Sequence, residues 1–233
     1  MAQTLAKMAE EVLRCADGRE KTALARRHAA TWFAAREAGT PLAIGSAEPP
    51  LHPARPDKPE LLSPRDVPRR RPGSEAGRAA FERYHAGAVE VPGPAVDRLG
   101  GIAARHGVEL VIGVVERDGG TLYCTVLFVG PGGELRGKHR KLVPTALERC
   151  VWGRGDASTL TVVDSPRGKI GAAICWENYM PLLRAALFER GTEVYCAPTV
   201  DDRDVWQATM RHVAVEGRCH VLAACQHMRG RDL

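Results

Sequence analysis

The sequence has no apolar run approaching the ~18 residues of a membrane-spanning helix, so no segment reads as one. It has no basic stretch leading into an apolar core at its start, and MAQTLAKMAEEV does not read as a secretory signal. It has no C-x-x-C pair. Its seven cysteines stand at positions 15, 124, 150, 175, 196, 219 and 225, an odd number. That spacing argues against a zinc knuckle and against a disulfide framework, and it points to reduced thiols in a cytoplasmic protein. Most of these cysteines then read as small buried hydrophobes. Charge of one sign is not concentrated either. The 33 basic residues against 28 acidic ones give a net charge of +5, and only Arg69, Arg70 and Arg71 form a run. Charge therefore gives no reason to expect a nucleic-acid partner. No internal repeat of fixed period is present.

What is there is an ordinary globular composition. A chain of 233 residues with 44% hydrophobic and 26% charged residues has the size of one α/β domain, or of two small ones at most. The texture changes along the chain. Residues 4–14 have helical periodicity, and residues 20–37 are rich in Ala and Arg and compatible with helix, though with a thin apolar face. Residues 49–72 hold eight of the 16 prolines, which predicts an extended, irregular stretch.

From residue 76 the pattern is that of a folded α/β protein. Residues 108–115 (VELVIGVV) and 122–129 (LYCTVLFV) read as buried strands joined by an Asp118-Gly119-Gly120 turn. Further strands are predicted at 160–164, 169–174, 194–197 and 220–224, and helices at 96–106, 180–190 and 204–217. Strands alternating with helices give an α/β fold.

Two local features could carry chemistry. In IGAAICWEN (170–178) a buried strand ends at Cys175, before a helix. That edge of an α/β sheet is where ligands bind, and helix N-terminal amides lower a thiol pKa. By position alone Cys175 reads first as a core cysteine and second as a nucleophile. The other feature is the basic run Gly137-Lys138-His139-Arg140-Lys141, followed by Glu148 and by Trp152-Gly153-Arg154-Gly155-Asp156. By itself the run reads as a solvated turn. Together, a thiol, a carboxylate and cations at strand ends are the parts of covalent acyl-type chemistry.

The blocks Arg83-Tyr84-His85 with AVEVPG (88–93), HRKLVPTALERCVWGRGD (139–156), ICWENYMPL (174–182) and WQATMRHVAVEGRCHVLAACQ (206–226) resemble the nitrilase branch of the carbon–nitrogen hydrolase superfamily. The resemblance covers roughly residues 77–229. It implies an α-β-β-α sandwich, incomplete in this chain, with residues 1–75 as a divergent or disrupted, partly disordered segment and 76–233 as the hydrolase domain. It also implies that Cys175 is the nucleophile, Lys141 the catalytic lysine and Glu148 the supporting glutamate. Glu177, Trp176 and Trp152 become substrate-binding or supporting residues. No metal and no cofactor is implied. The implied substrate is a small nitrile or, as the nearest variant, an amide. The implied assembly, for a complete chain, is a homo-oligomer, with no nucleic-acid or membrane partner.

The sequence departs from the family's pattern in one respect that matters. The general-base glutamate of the family lies in a strand-end motif reading roughly F-P-E, and this chain has none. Glu20, Glu37, Glu48, Glu60 and Glu75 are the glutamates between residues 15 and 75, none follows a legible strand, and none is assigned as the base. The family's two N-terminal strands are expected to be absent, and the C-terminus is expected to be truncated at Leu233. A shifted reading frame over residues 15–75, or genuine divergence, would each produce this pattern. Nitrile hydrolysis by the chain as it stands is therefore expected to be weak or lost. A non-catalytic member acting in binding or oligomerisation is the alternative.

Overall fold

The computed structural model of the chain describes residues 32–34, 42–45, 74–201 and 203–225. Among the described residues the strands form two sheets. One has the order β1 (Trp32–Ala34), β2 (Leu42–Gly45), β3 (Glu109–Asp118), β4 (Thr121–Val129) and β5 (Leu135–Arg140). The other has the order β6 (Val162–Ser165), β7 (Gly168–Ala172), β8 (Val194–Thr199) and β9 (His220–Cys225). Four α-helices among the described residues accompany them: α1 (Glu75–Gly87), α2 (Pro94–His106), α3 (Pro181–Glu189) and α4 (Asp204–Gly217).

Side-chain alternation along the strands builds the layers, because successive residues point to opposite faces. Val111 of β3 and Val126 and Phe128 of β4 face inward and meet Ile170, Ala172, Val194, Cys196 and Ala224 of the second sheet. The intervening residues Leu110, Ile112, Val114, Leu127 and Val129 face outward and are covered by Val96, Leu99 and Ala103 of α2. Ala80 and Tyr84 of α1 cover Val115, Leu122 and Trp152. On the far side, Leu183 and Leu187 of α3 and Trp206, Met210 and Val213 of α4 cover Tyr195 and Ala197. The order of layers is helices, sheet, sheet, helices: the α-β-β-α sandwich. Strands buried on both faces explain why β3 and β4 read as nearly continuous apolar runs.

The expected strands form, and so does the β3–β4 hairpin, whose turn places Gly119 at φ 57°. Three expectations need correction. Residues 32–34, inside the stretch read as helix-compatible, form a strand, and the two N-terminal strands expected to be absent are present as β1 and β2. β2 runs parallel to β3, with Leu42 opposite Glu109 and Gly45 opposite Ile112. Segments of three and four residues are too short for periodicity to reveal, and pairing within the sheet overrides local helix preference. Glu48 therefore does follow a strand, three residues beyond Gly45 in sequence, although the glutamate itself lies outside the described residues. The third correction is that the basic run Gly137–Lys141, read by itself as a solvated turn, lies for its first four residues in a strand, Leu135–Arg140, paired antiparallel with β4. The boundary near residue 75 coincides with the start of α1, while β2 ties the earlier segment to the same sheet. The readings for residues 4–14 and 49–72 lie outside the described residues.

Candidate active site

The run Lys138-His139-Arg140-Lys141 owes its arrangement to β5. Strand alternation sends Lys138 and Arg140 to one face and His139 to the other. Each then meets a carboxylate, so the run is not a solvated turn. Lys138 and Arg140 donate to Glu116, at 2.5 and 2.6 Å from Oε1, and Thr125 Oγ1 donates to the same carboxylate at 2.8 Å. Burial pushes the Glu116 carboxyl upward, but hydrogen bonds from Arg140, Lys138 and Thr125 outweigh it and hold the group below the usual carboxylate range. His139 Nε2 lies 3.1 Å from both oxygens of Glu177.

Lys141 follows β5 directly and is 2% exposed. Its backbone N–H donates to Cys124 O at 2.8 Å, which fixes the side chain's point of departure. Its ammonium donates to Glu148 Oε2 at 2.7 Å, and the ring of Trp152 lies 5.9 Å from Nζ. Glu148 belongs to a single 3-10 turn, Ala146–Cys150, and also accepts from Thr145 N at 2.6 Å. Burial pulls the Lys141 pKa down, but Cys124, Glu148 and Cys175 together push it up, and the net direction is upward. Lys141 is thus an ammonium held in a dry place.

Cys175 stands three residues beyond β7 and opens a five-residue 3-10 turn, Cys175–Tyr179, with φ 52°. The helix expected immediately after it begins only at Pro181. Five residues of 3-10 turn give little macrodipole, so positive charge reaches the thiol from side chains instead: Lys141, which shares its cavity wall, and Arg203, which also interacts with it. The turn is held from within: Asn178 Nδ2 donates to Ala173 O at 3.0 Å and to Cys175 O at 2.8 Å. Left-handed backbone at a non-glycine residue is the kind of strain that surrounding structure must enforce.

These groups line one cavity. Val114 and Val115 of β3, Cys124 and Thr125 of β4, Ile174, Pro198 and Val200 form much of its wall, and Lys141, Glu148, Trp152 and Cys175 face into it. Of the residues expected from the sequence, the structure brings Cys175, Lys141, Glu148 and Trp152 together. Trp152 is buried and donates from Nε1 to Tyr84 OH at 3.1 Å. Glu177 does not line the cavity. It lies buried behind it, accepting from Leu142 N and Ile174 N at 2.7 Å each. Trp176 is half-exposed, packs against Tyr179 with ring centroids 5.1 Å apart, and is absent from the cavity wall. Glu75 is exposed at the start of α1, and the other four candidate glutamates lie outside the described residues. Cys124, Thr125, His139 and Asn178 were not anticipated. For the first two the signal is partial: the alternation of LYCTVLFV puts Cys124 on the inward face with Val126 and Phe128, and Thr125 on the opposite one, where its hydroxyl meets Glu116. The remaining described thiols differ in setting: Cys196, for example, is pushed up by burial in the inter-sheet core and is chemically quiet there.

The comparisons with known proteins agree with this geometry. The carbon–nitrogen hydrolase family model matches residues 69–231. The chain is 62% identical over 156 residues to the bifunctional nitrilase/nitrile hydratase NIT4A of Nicotiana tabacum, covering 67% of this chain and 45% of that protein. It is 57% identical over 159 residues to nitrilase 2 of Arabidopsis thaliana, covering 68% of this chain and 47% of that one. The chain thus spans about half the length of these relatives. Among solved structures, a mutant of the amidase from Nesterenkonia sp. AN1 showing Michael addition of acrylamide at its active site cysteine superposes with a TM-score of 0.54 at 21% identity, covering 62% of this chain and 59% of that one. That likeness concerns the fold. By the family match over most of its length, the chain belongs to the carbon–nitrogen hydrolase family, in its nitrilase branch.

Proposed function

We propose that this chain carries the chemistry of a nitrilase, converting a small nitrile to a carboxylic acid and ammonia. The observation that carries the reading is the convergence, on one buried cavity, of a thiol at a strained turn and an ammonium paired with a carboxylate. The Cys175 sulfur adds to the nitrile carbon, and the nitrile nitrogen takes a proton, giving a thioimidate. One water adds, ammonia leaves, and a thioester remains. A second water releases the acid and restores the thiol. Lys141 stands where negative charge develops, itself almost wholly buried, so that its effect is stronger than it would be in bulk water. Glu148 keeps that lysine charged and in place. No group is assigned as the base that deprotonates the thiol and the waters. Glu148, the one carboxylate on the cavity wall among the described residues, is already engaged by Lys141 and Thr145. Among the described residues no base is placed; loss of a general base costs about 10²–10⁴-fold, and on that footing turnover is expected to be low.

A homo-oligomer in a reducing cytoplasm belongs to the same proposal; the odd number of cysteines, with no C-x-x-C pair among them, supports the reducing setting. The test is ammonia release from aryl, arylaliphatic and aliphatic nitriles, together with mass detection of an acyl adduct on the Cys175 peptide. Slow release that disappears in Cys175→Ala is the expected result. Release that survives in Cys175→Ala, or a folded chain that neither releases ammonia nor forms the adduct with any nitrile, overturns it.

A further inference from the structure

Lys141 and Cys175 come from different sheets, so something must fix the distance between them. Beneath the cavity lies a carboxylate that touches both loops. Glu177 Oε1 accepts from Leu142 N, the residue after Lys141, and Oε2 accepts from Ile174 N, the residue before Cys175, each at 2.7 Å. His139, on the strand that leads into Lys141, places Nε2 3.1 Å from both oxygens. Glu177 and His139 are both buried. We infer that Glu177 is a positioning residue that ties the lysine-bearing loop to the cysteine-bearing turn, with His139 as its third donor. The inference rests on the reading of Cys175 and Lys141 given above.

The donor count makes the carboxylate irreplaceable by its neutral isostere. Both oxygens receive a backbone N–H, so both must accept. A glutamine would turn an N–H₂ toward one of those N–H groups, setting donor against donor. A protonated acid would do the same with its O–H. Three N–H groups thus converge on the carboxyl oxygens in place of water. Since the carboxylate only accepts, the His139 Nε2 carries the hydrogen. Asn178 does a different job: it bonds only within the cysteine turn, to Ala173 O and Cys175 O, and shapes that turn without reaching the other sheet. Glu177 is the group that spans the two.

The consequence is readable without any turnover. Cys175 favours the charged forms of Lys141 and of Arg203, and by reciprocity both cations favour the thiolate; Arg203 is held by Asp201 rather than by Glu177, so the tie acts on the lysine's share. Loosening the tie moves the ammonium away and shifts thiolate formation to higher pH. The experiment is the rate of Cys175 alkylation by iodoacetamide as a function of pH, read on the Cys175 peptide by mass in the full 233-residue chain. Glu177→Gln is expected to shift the profile upward by about one pH unit, roughly tenfold in rate at pH 7, with the circular dichroism of the parent. His139→Gln, which leaves both backbone bonds in place, shifts it in the same direction by less, and serves if Glu177→Gln does not fold. Lys141→Gln is the reference. A shift in Lys141→Gln with none in a folded Glu177→Gln or His139→Gln overturns the inference alone. No shift in Lys141→Gln sinks the reading of the lysine and the inference with it. A lowered melting temperature with an unmoved profile assigns Glu177 to stability only and also overturns the inference.

Discussion

At Cys175 the backbone is held at φ 52°, a conformation that costs an L-residue about 1 kcal/mol or more and glycine almost nothing. The Cys175 thiol is thus presented at a local expense in stability. Cys175→Gly should unfold at higher urea than Cys175→Ala, by about 1 kcal/mol, although both lack the thiol; equal midpoints would mean that the turn is not strained. A second residue-scale consequence concerns the buried pair. Removing one partner of a buried ion pair leaves a bare charge, at about 3–5 kcal/mol. Glu148→Gln should cost that much at pH 7. Lys141 is raised above its ordinary 10.5, so its contribution is complete below pH 10.5 and is lost as pH rises through the folded-state value. The gap between parent and Glu148→Gln in urea titrations should therefore be widest near pH 7 and narrow as pH rises, because the unpaired Lys141 of the variant, left with burial and without Glu148, sheds its proton before the parent's does; a gap that widens contradicts the pairing. The sequence motifs reached Cys175, Lys141 and Glu148 because each stands in a fixed local context. His139 and Cys124 were out of reach: their partners sit on another sheet or a neighbouring strand, 38 residues away for His139 and Glu177.

Two adjacent glycines in α2 show how an element is fitted to its neighbours. A Cβ on Gly100 would lie 2.3 Å from Gly133 O, in the turn between β4 and β5, whereas a Cβ on Gly101 would meet nothing within 4 Å. In isolation both positions should favour alanine by about 1 kcal/mol. Gly101→Ala is therefore expected to stabilise by about 0.5–1 kcal/mol, and Gly100→Ala to destabilise by about 1–3 kcal/mol through backbone displacement. Thermal unfolding of the two variants checks the opposite signs; like signs would mean that α2 does not pack on that turn. Helix α4 and the strand pairs were legible because their apolar residues recur at 3.6 or 2 positions, or run unbroken through a doubly buried strand. β5 was not: LRGKHR has no β-branched residue, and it is a strand because β4 offers it a ladder, Val126 opposite His139 and Leu127 opposite Lys138. Its charges, which suggested solvent, are instead paired with Glu116, Glu177 and Glu109. Arg136 reaches that last carboxylate at 2.8 Å.

The molecule as a whole assembles its site only when the two sheets meet. The first sheet delivers Lys141 at the end of β5, and the second delivers Cys175 beyond β7. Between the sheets lie Val111, Val126 and Phe128 on one side and Ile170, Val194 and Cys196 on the other. Phe128 is among the largest fully buried side chains, and its truncation to alanine forfeits about 3–5 kcal/mol through lost transfer energy and the cavity left behind. Against a total stability of about 5–15 kcal/mol, that moves the unfolding transition far down in denaturant. The thiol reports the same event. A free cysteine is almost wholly protonated at pH 6, so alkylation of Cys175 there depends on the ammonium beside it. In a urea titration, rapid alkylation at pH 6 and far-UV dichroism should vanish together in the parent, and Phe128→Ala should shift both midpoints downward by the same amount. Rapid alkylation that outlasts the dichroism would place the activating charge within the cysteine's own sheet. Alkylation lost well before the dichroism would mean that the sheets can slide apart while each remains folded, with the site broken first.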